Sequence, residues 1–296
     1  MEPSGQLPLE ITFENRRLEQ VGVQVISFKE FRQFAPPSLV AQPLRADFFH
    51  LILVSSGRGS HMVDFTKHAL RAGSLVMILP GQVHQWHLKT AFDGLVALIT
   101  TEALDSHALP FRKGQSLLKL RDWPQAPSLG REVLPEILAD MQRLDADIRA
   151  FKGIEYEAEI IRQELMTLLL RLAKEVGKGI EAHASTREQE VFGLFESELD
   201  AGFAKRLSVL DYATRIGFSE STLSRACVAV MGHTAKQVID QRVTLEAKRL
   251  LVHSEASVAF IGHQLGFSEP TNFVKFFKRG MAGQTPLEFR ALYRPL

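Results

Sequence analysis

The 296 residues contain a single cysteine, Cys227, so no disulfide can form within the chain. A disulfide-stapled scaffold is excluded, and a reducing compartment is the expected setting. Nowhere does an apolar run reach the ~18 residues that a membrane-spanning helix needs. Met1-Glu2-Pro3-Ser4-Gly5 has neither the basic start nor the apolar stretch of a secretion signal. The expectation is a soluble, cytoplasmic protein with no membrane partner. Charge of one sign is missing as well. The net charge is +1, with 23% charged and 45% hydrophobic residues, an ordinary globular balance.

Taken whole, that balance argues against a nucleic-acid partner, but its distribution reverses the argument. Residues 201–296 carry 13 Lys and Arg against 7 Asp and Glu, a local charge of +6, which leaves −5 on residues 1–200. A basic C-terminal third on an acidic remainder is the footprint of a separate DNA-contacting domain. The length suffices for two domains, each with its own core.

What the chain does have is an internal repeat. Gly217-Phe218-Ser219-Glu220 recurs as Gly266-Phe267-Ser268-Glu269. Ser208-Val209 opens the first unit and Ser257-Val258 the second; Gly232-x-Thr234 and Gly283-x-Thr285 close them. One supersecondary module has been used twice, and each glycine falls at the turn of a helix–turn–helix pattern. Start signals surround it: Ser208-x-x-Asp211, Thr234-x-x-Gln237 and Thr285-Pro286-x-Glu288 read as capping boxes. One connecting helix is expected from Ala235 to Val252, between the repeats.

In each unit the helix after Gly-Phe-Ser is the candidate reading helix. Over 221–230, Leu223, Cys227 and Val230 are expected to face the core, leaving Ser221, Thr222, Ser224 and Arg225 outward. Over 270–279, Phe273, Phe276 and Phe277 form the buried stripe, leaving Thr271, Asn272, Val274, Lys275 and Lys278 outward. Arg and Lys suit guanine, Lys also phosphate, Asn suits adenine, and small hydroxyls allow close approach. Cys227 reads as a small buried hydrophobe and not as a redox group.

Residues 10–100 read differently. Phe48–Val54, His61–Phe65 and Ser74–Leu79 are strand-like, separated by Gly and Pro turns every ten or so residues, which points to an antiparallel barrel or sandwich. From about residue 130 the period becomes helical. Leu134, Ile137, Met141, Leu144 and Ile148 form one stripe; Ile154, Ala158, Ile161, Leu165, Leu168 and Leu172 form an a/d seam. Residues 177–187 lack a period and read as a linker.

Residues 205–293 resemble the double helix–turn–helix domain of the AraC/XylS transcription regulators. The likeness rests on Leu265–Lys278, on Gly283-Gln-Thr-Pro-Leu-Glu-Phe-Arg290, and on Leu245–Leu251 as the connecting helix. Ala226-Cys227-Val228 departs from the family's usual bulky apolar residue, Phe and Lys, so base reading is expected to lean on the second unit. Residues 47–84 are similar, more loosely, to the family's cupin-like effector domain. The resemblance implies an α+β multidomain chain: a cupin-like effector barrel over 1–125, a helical dimerisation segment over 126–176, the linker 177–187, and the DNA-binding domain over 188–296.

The function implied is a ligand-responsive transcription activator that binds double-stranded DNA through the major groove. The implied partners are a small-molecule effector and a second copy of the chain, with RNA polymerase a further candidate. His50, His84 and Trp86 are the candidate effector contacts, although Trp86 also suits plain core. An apolar or aromatic effector fits the apolar inner face better than a sugar. His50, His61, His84 and His87 raise the question of a cupin metal centre. His84 falls where cupin enzymes place their last histidine, but residues 38–49 contain no histidine to complete the set, so no metal, cofactor or catalysis is expected. Two alternatives stand beside this reading: a cupin-type metal enzyme carrying a DNA-binding tail, and a regulator whose barrel has no ligand and only dimerises. On the family likeness, the 154–172 seam is expected to pair two protomers.

Overall fold

Leu51-Ile52-Leu53-Val54 is an unbroken apolar run, which a strand tolerates when both of its faces are covered. In the computed structural model this run lies in a long central strand, β4 (Phe49–Val63). The structure describes residues 8–36, 39, 42–86, 92–105, 120, 123–177 and 186–293. The chain divides into two compact units near residue 180.

The N-terminal unit is a curled sheet of β1 (Leu9–Ile11), β2 (Val23–Ser27), β3 (Leu44–Ala46), β4, β5 (Thr66–Arg71), β6 (Leu75–Ile78), β7 (Val83–Gln85) and β8 (Phe92–Ile99). The strand order is β1-β3-β7-β4-β8-β2, with β5 and β6 also paired to β4. β1 and β3 run parallel, and the remaining pairs are antiparallel. β4 pairs with β8 along its first half and with β7 at Met62–Val63. A register shift between Val54 and Ser56 marks the bend between these halves.

Alternation along β4 divides the residues between two cores. Leu51 and Leu53 join Val23, Val25, Leu75, Met77, Ala97 and Ile99 on one face. Ile52 and Val54 join Phe28, Val76, Trp86 and Val96 on the other, inside the curl. α1 (Phe28–Phe34), started by a Ser27–Glu30 capping box, borders the inner face, and a short α2 (Thr101–Asp105) follows β8.

The outer face is covered by α3 (Leu134–Ala150) and α4 (Glu155–Val176). Ile137, Met141, Leu144 and Ile148 of α3 share one core with Ala158, Ile161, Leu165, Leu168 and Leu172 of α4, all at most 2% exposed. This corrects the expectation for the 154–172 seam. From Ala158 to Leu172 its side chains already lie in the chain's own core with α3 and the sheet, and only Ile154, 38% exposed, keeps apolar surface for a partner. The outward apolar residues of α4 are Tyr156, Ile160 and Leu170, at 66%, 50% and 36% exposure. The segment 126–176 falls in the same compact unit as the sheet it covers.

The C-terminal unit is helical: α5 (Thr186–Gly202), α6 (Val209–Arg215), α7 (Glu220–Met231), α8 (Ala235–His253), α9 (Val258–Gln264), α10 (Pro270–Gly280) and α11 (Pro286–Tyr293). The capping boxes form at Ser208–Asp211 and Thr234–Gln237. Thr285 and Glu288 bond reciprocally in the same way. The connecting helix α8 has 19 residues, about 28 Å at 1.5 Å per residue. α5 was not singled out by the sequence signals; it packs Phe195 edge-on against Tyr212 of α6, 5.4 Å between centroids. Of the expected linker, 178–185 lies outside the described residues, as does His87. Gly177 ends α4, and 186 and 187 already belong to α5.

Candidate DNA interface and effector cavity

The repeat seen in the letters is a repeat of hydrogen bonds. Phe218 N–H donates to the Ala213 carbonyl at 2.9 Å, and Phe267 N–H to the Gly262 carbonyl at 3.0 Å. Gly217 N–H donates to Thr214 at 3.1 Å, and Gly266 N–H to His263 at 2.9 Å. Both glycines hold a positive φ, +76° and +78°, a region that costs an L side chain about 1–2 kcal/mol. A Cβ on Gly266 would also lie 2.0 Å from the Ala204 carbonyl oxygen. The Gly-Phe-Ser signature is thus a backbone requirement.

After the turn the two units slip by one residue, since α7 is capped by Ser219 whereas Glu269 precedes Pro270 in α10. The buried stripes then correspond as Leu223, Ala226 and Cys227 in α7 and Phe273, Phe276 and Phe277 in α10. Val230, expected in the core, is only half-buried; Ala226 takes the place on the stripe. The first unit thus buries small side chains where the second buries phenylalanines. Cys227 is fully buried, and desolvation pushes its thiol up to about 12, so it stays protonated.

On the outward side Ser221, Arg225, Thr271, Asn272, Lys275 and Lys278 are exposed; Thr222, Ser224 and Val274 are half-buried. The positions pair as Arg225 with Lys275, Val228 with Lys278 and Ala229 with Arg279, so α7 carries one cation where α10 carries three, of which Arg279 lies 3.6 Å from an Asp240 carboxylate oxygen. Their electrostatic situations differ too. Arg225 Nε lies 3.5 Å from a Glu188 carboxylate oxygen on α5, whereas Lys275 has no hydrogen-bond or ion-pair partner among the described residues and Lys278 acts electrostatically on the Glu288 carboxyl. In α7 the Ser221 and Thr222 hydroxyls lie 3.0 and 2.8 Å from Ser219 Oγ, clustered at the helix start.

Two arginines that carry no outward charge set the frame. Arg206, in the left-handed region at φ +54°, lays its guanidinium 4.3 Å from the Phe267 ring centre and 4.9 Å from that of Phe276. It ties the entry loop of the first unit to the turn and reading helix of the second. Arg290 donates to the carbonyls of Leu251 at 2.9 Å and Ala256 at 2.6 Å, closing the end of α8. The sequence offered Arg206 only as a basic residue and Arg290 as the last residue of the family-like stretch, without the role of either.

In the N-terminal unit the inside of the curl holds a cavity of about 500 Å³, within the ~300–1,000 Å³ of small-molecule sites. Leu44, Phe48, His50, Trp86 and Val96 form its buried floor, with Phe31 and Leu98 on the walls. Arg17, Glu30, Asp145 and Arg149 are its charged lining residues. His50 and Trp86 thus line the cavity, while His84 stands behind them, 4.7 Å from the His50 ring and 5.6 Å from Trp86. Burial lowers His50 to about 3. His84 is held well below the usual imidazole range by burial and by the neighbouring His50 and His61. His61 Nε2 and His84 Nδ1 are 3.2 Å apart, so one ring donates to the other. Among the described residues no three His, Cys, Asp or Glu side chains are placed to hold a metal ion.

A duplicated helix–turn–helix with a basic outer face, in one chain with a curled β-unit that holds a cavity, defines a DNA-binding protein with a ligand-binding domain. Comparison with known proteins makes this particular. The AraC-like ligand-binding domain matches residues 36–130 and a helix-turn-helix domain matches residues 212–292, together more than half of the chain. The HTH-type transcriptional activator RhaS of Escherichia coli O81 (strain ED1a) is 27% identical over 237 residues, covering 79% of this chain and 82% of that protein. Among solved structures, the DNA-binding domain of AdpA in complex with a target DNA is 28% identical, covering 37% of this chain and 94% of that one, at a TM-score of 0.32. ToxT from Vibrio cholerae with a bound unsaturated fatty acid is 13% identical, covering 91% and 94%, at a TM-score of 0.40. The chain belongs to the AraC family of transcription regulators. No helix among the described residues is long and apolar enough to cross a membrane.

Proposed function

We propose that this protein is a cytoplasmic, effector-responsive transcription activator that acts as a homodimer and has no catalytic activity. α7 and α10 enter successive major grooves, and α10 contributes most of the affinity. The observation that carries this is the contrast between Lys275, which has no ion-pair partner among the described residues, and Arg225, which is tethered to Glu188. A cation already paired in the free protein must leave its carboxylate before it meets DNA, which returns part of the gain. The activator role follows the likeness to RhaS, and RNA polymerase would be the partner in that role. The effector occupies the cavity at His50 and Trp86 and acts by binding one arrangement of the dimer better than another.

Binding to the operator, compared at fixed salt with binding to random DNA, tests the interface. Lys275→Ala is expected to cost about 1–3 kcal/mol, and Arg225→Ala less. Glu188→Gln frees Arg225 and should tighten binding. Equal losses for the two alanine variants, or no loss for either, would refute the assignment.

A further inference from the structure

The cavity inside the curl has an uneven distribution of charge. Its four charged lining residues among those described are two arginines and two carboxylates, Arg17, Arg149, Glu30 and Asp145. Both arginines are already engaged. Arg17 donates to the carbonyls of Ile148, Arg149 and Phe151 at 3.1, 3.2 and 3.4 Å, satisfying the end of α3. Arg149 donates to Glu30 at 2.7 Å and to Asp145 at 2.9 Å. The Arg149 side chain is 53% exposed, so this network belongs to the outer edge of the cavity. The balance there is neutral, with no cation left over for an anionic ligand.

The floor is different. Leu44, Phe48, Trp86 and Val96 are apolar and at most 4% exposed. The one polar side chain among them is His50, 3% exposed and stacked on Phe48 with 4.8 Å between ring centres. Its Nδ1 is buried with no hydrogen-bond partner, and such an orphan in a native site calls for a reason. Phe31 packs tilted against Trp86, 4.9 Å between ring centres, so the two rings make one continuous aromatic surface for an aromatic guest to lie on.

We propose that the cavity takes an uncharged, mainly aromatic small molecule that exchanges one hydrogen bond with His50. The proposal rests on the effector reading above and adds the chemical class. A carboxylate driven to this floor would be a buried charge without a counter-ion, which costs several kcal/mol. A sugar fails for another reason: the uncharged polar lining residues besides His50, namely Thr12, Asn15 and Gln24, are none of them buried, so on the floor its hydroxyls would meet apolar carbon and stay unsatisfied. A phenol-like ligand loses neither, because its ring replaces water against apolar carbon and its hydroxyl meets the imidazole.

The test uses the full chain at near-neutral pH with three probes, naphthol, naphthoate and glucose, titrated by calorimetry. Naphthol should bind saturably and about 100-fold or more tighter than the other two, the ratio that ~2.8 kcal/mol corresponds to. His50→Phe keeps an aromatic ring of similar shape but removes the hydrogen bond. It should weaken naphthol roughly tenfold, the ratio of ~1.4 kcal/mol, and leave naphthalene unchanged, a difference that a general loss of structure would not produce. Naphthoate or glucose binding as tightly as naphthol would overturn the ligand class while keeping the cavity as an effector site. Equal weakening of naphthol and naphthalene would overturn the role of His50. No saturable binding of any probe to the folded chain would overturn the effector reading and this proposal with it.

Discussion

Leu165 sits at the middle of α4, 2% exposed, in the core that α3 and α4 share with the outer face of the sheet. Truncating a buried leucine to alanine removes its transfer free energy and leaves a cavity, together about 2.7–5 kcal/mol. Domains of this kind hold only ~5–15 kcal/mol in all, so Leu165→Ala should remove a large share of the unit's stability. Adding Ile161→Ala, 1% exposed and one turn earlier on the same stripe, should come close to unfolding it. The sum of the single losses is an upper bound, because the two sites share neighbours. The assay is selective: both tryptophans, Trp86 and Trp123, belong to the N-terminal unit, so urea unfolding followed by tryptophan fluorescence reports that unit. With a urea slope of ~2 kcal/mol per M, a 3 kcal/mol loss lowers the midpoint by roughly 1.5 M. An unchanged midpoint together with a halved mass in light scattering would refute the reasoning. The stripe would then face a partner chain and not its own sheet.

Removing the Arg206 clamp should destabilise the C-terminal unit by about 1–2 kcal/mol, the worth of a partly desolvated cation–π pair. Arg206→Lys should restore less than half, because an ammonium cannot lie flat against two rings; full rescue by lysine in urea unfolding followed by circular dichroism would show that charge alone matters. Acid should weaken the N-terminal unit. The His50 imidazole is lowered to about 3 in the fold, so between pH ~6.5 and ~3 the unfolded chain binds a proton that the folded one does not. That stability is complete above pH ~6.5 and falls by about 1.4 kcal/mol per pH unit below it, roughly 2 kcal/mol by pH 5. His50→Phe should reduce the slope between pH 5 and 6.5 without abolishing it, because His84 is also held well below the usual imidazole range; an unaltered slope would place the titration elsewhere.

Much of the architecture can be read from local pattern, because the forces behind it act over a few residues. The duplicated Gly-Phe-Ser turn needs a positive φ at Gly217 and Gly266 and so shows itself as a letter. The capping boxes at Ser208 and Thr234 are reciprocal hydrogen bonds three residues apart, and the 3,4 spacing of Phe273, Phe276 and Phe277 gives one helix face. Periodicity says that Ile161 and Leu165 share a face but not what covers it, which is why a seam suited to a partner turned out to be the chain's own core. Val230 and Ala226 changed places for a similar reason, since the choice depends on how closely α7 meets its neighbours. What only the tertiary structure decided are contacts between residues distant in sequence. Glu188 holds Arg225, Phe267 and Phe276 hold Arg206, and the sheet brings His50, Trp86 and Val96 around one cavity with His84 behind them. Such contacts are made by sheet register and helix crossing, which short-range spacing does not encode.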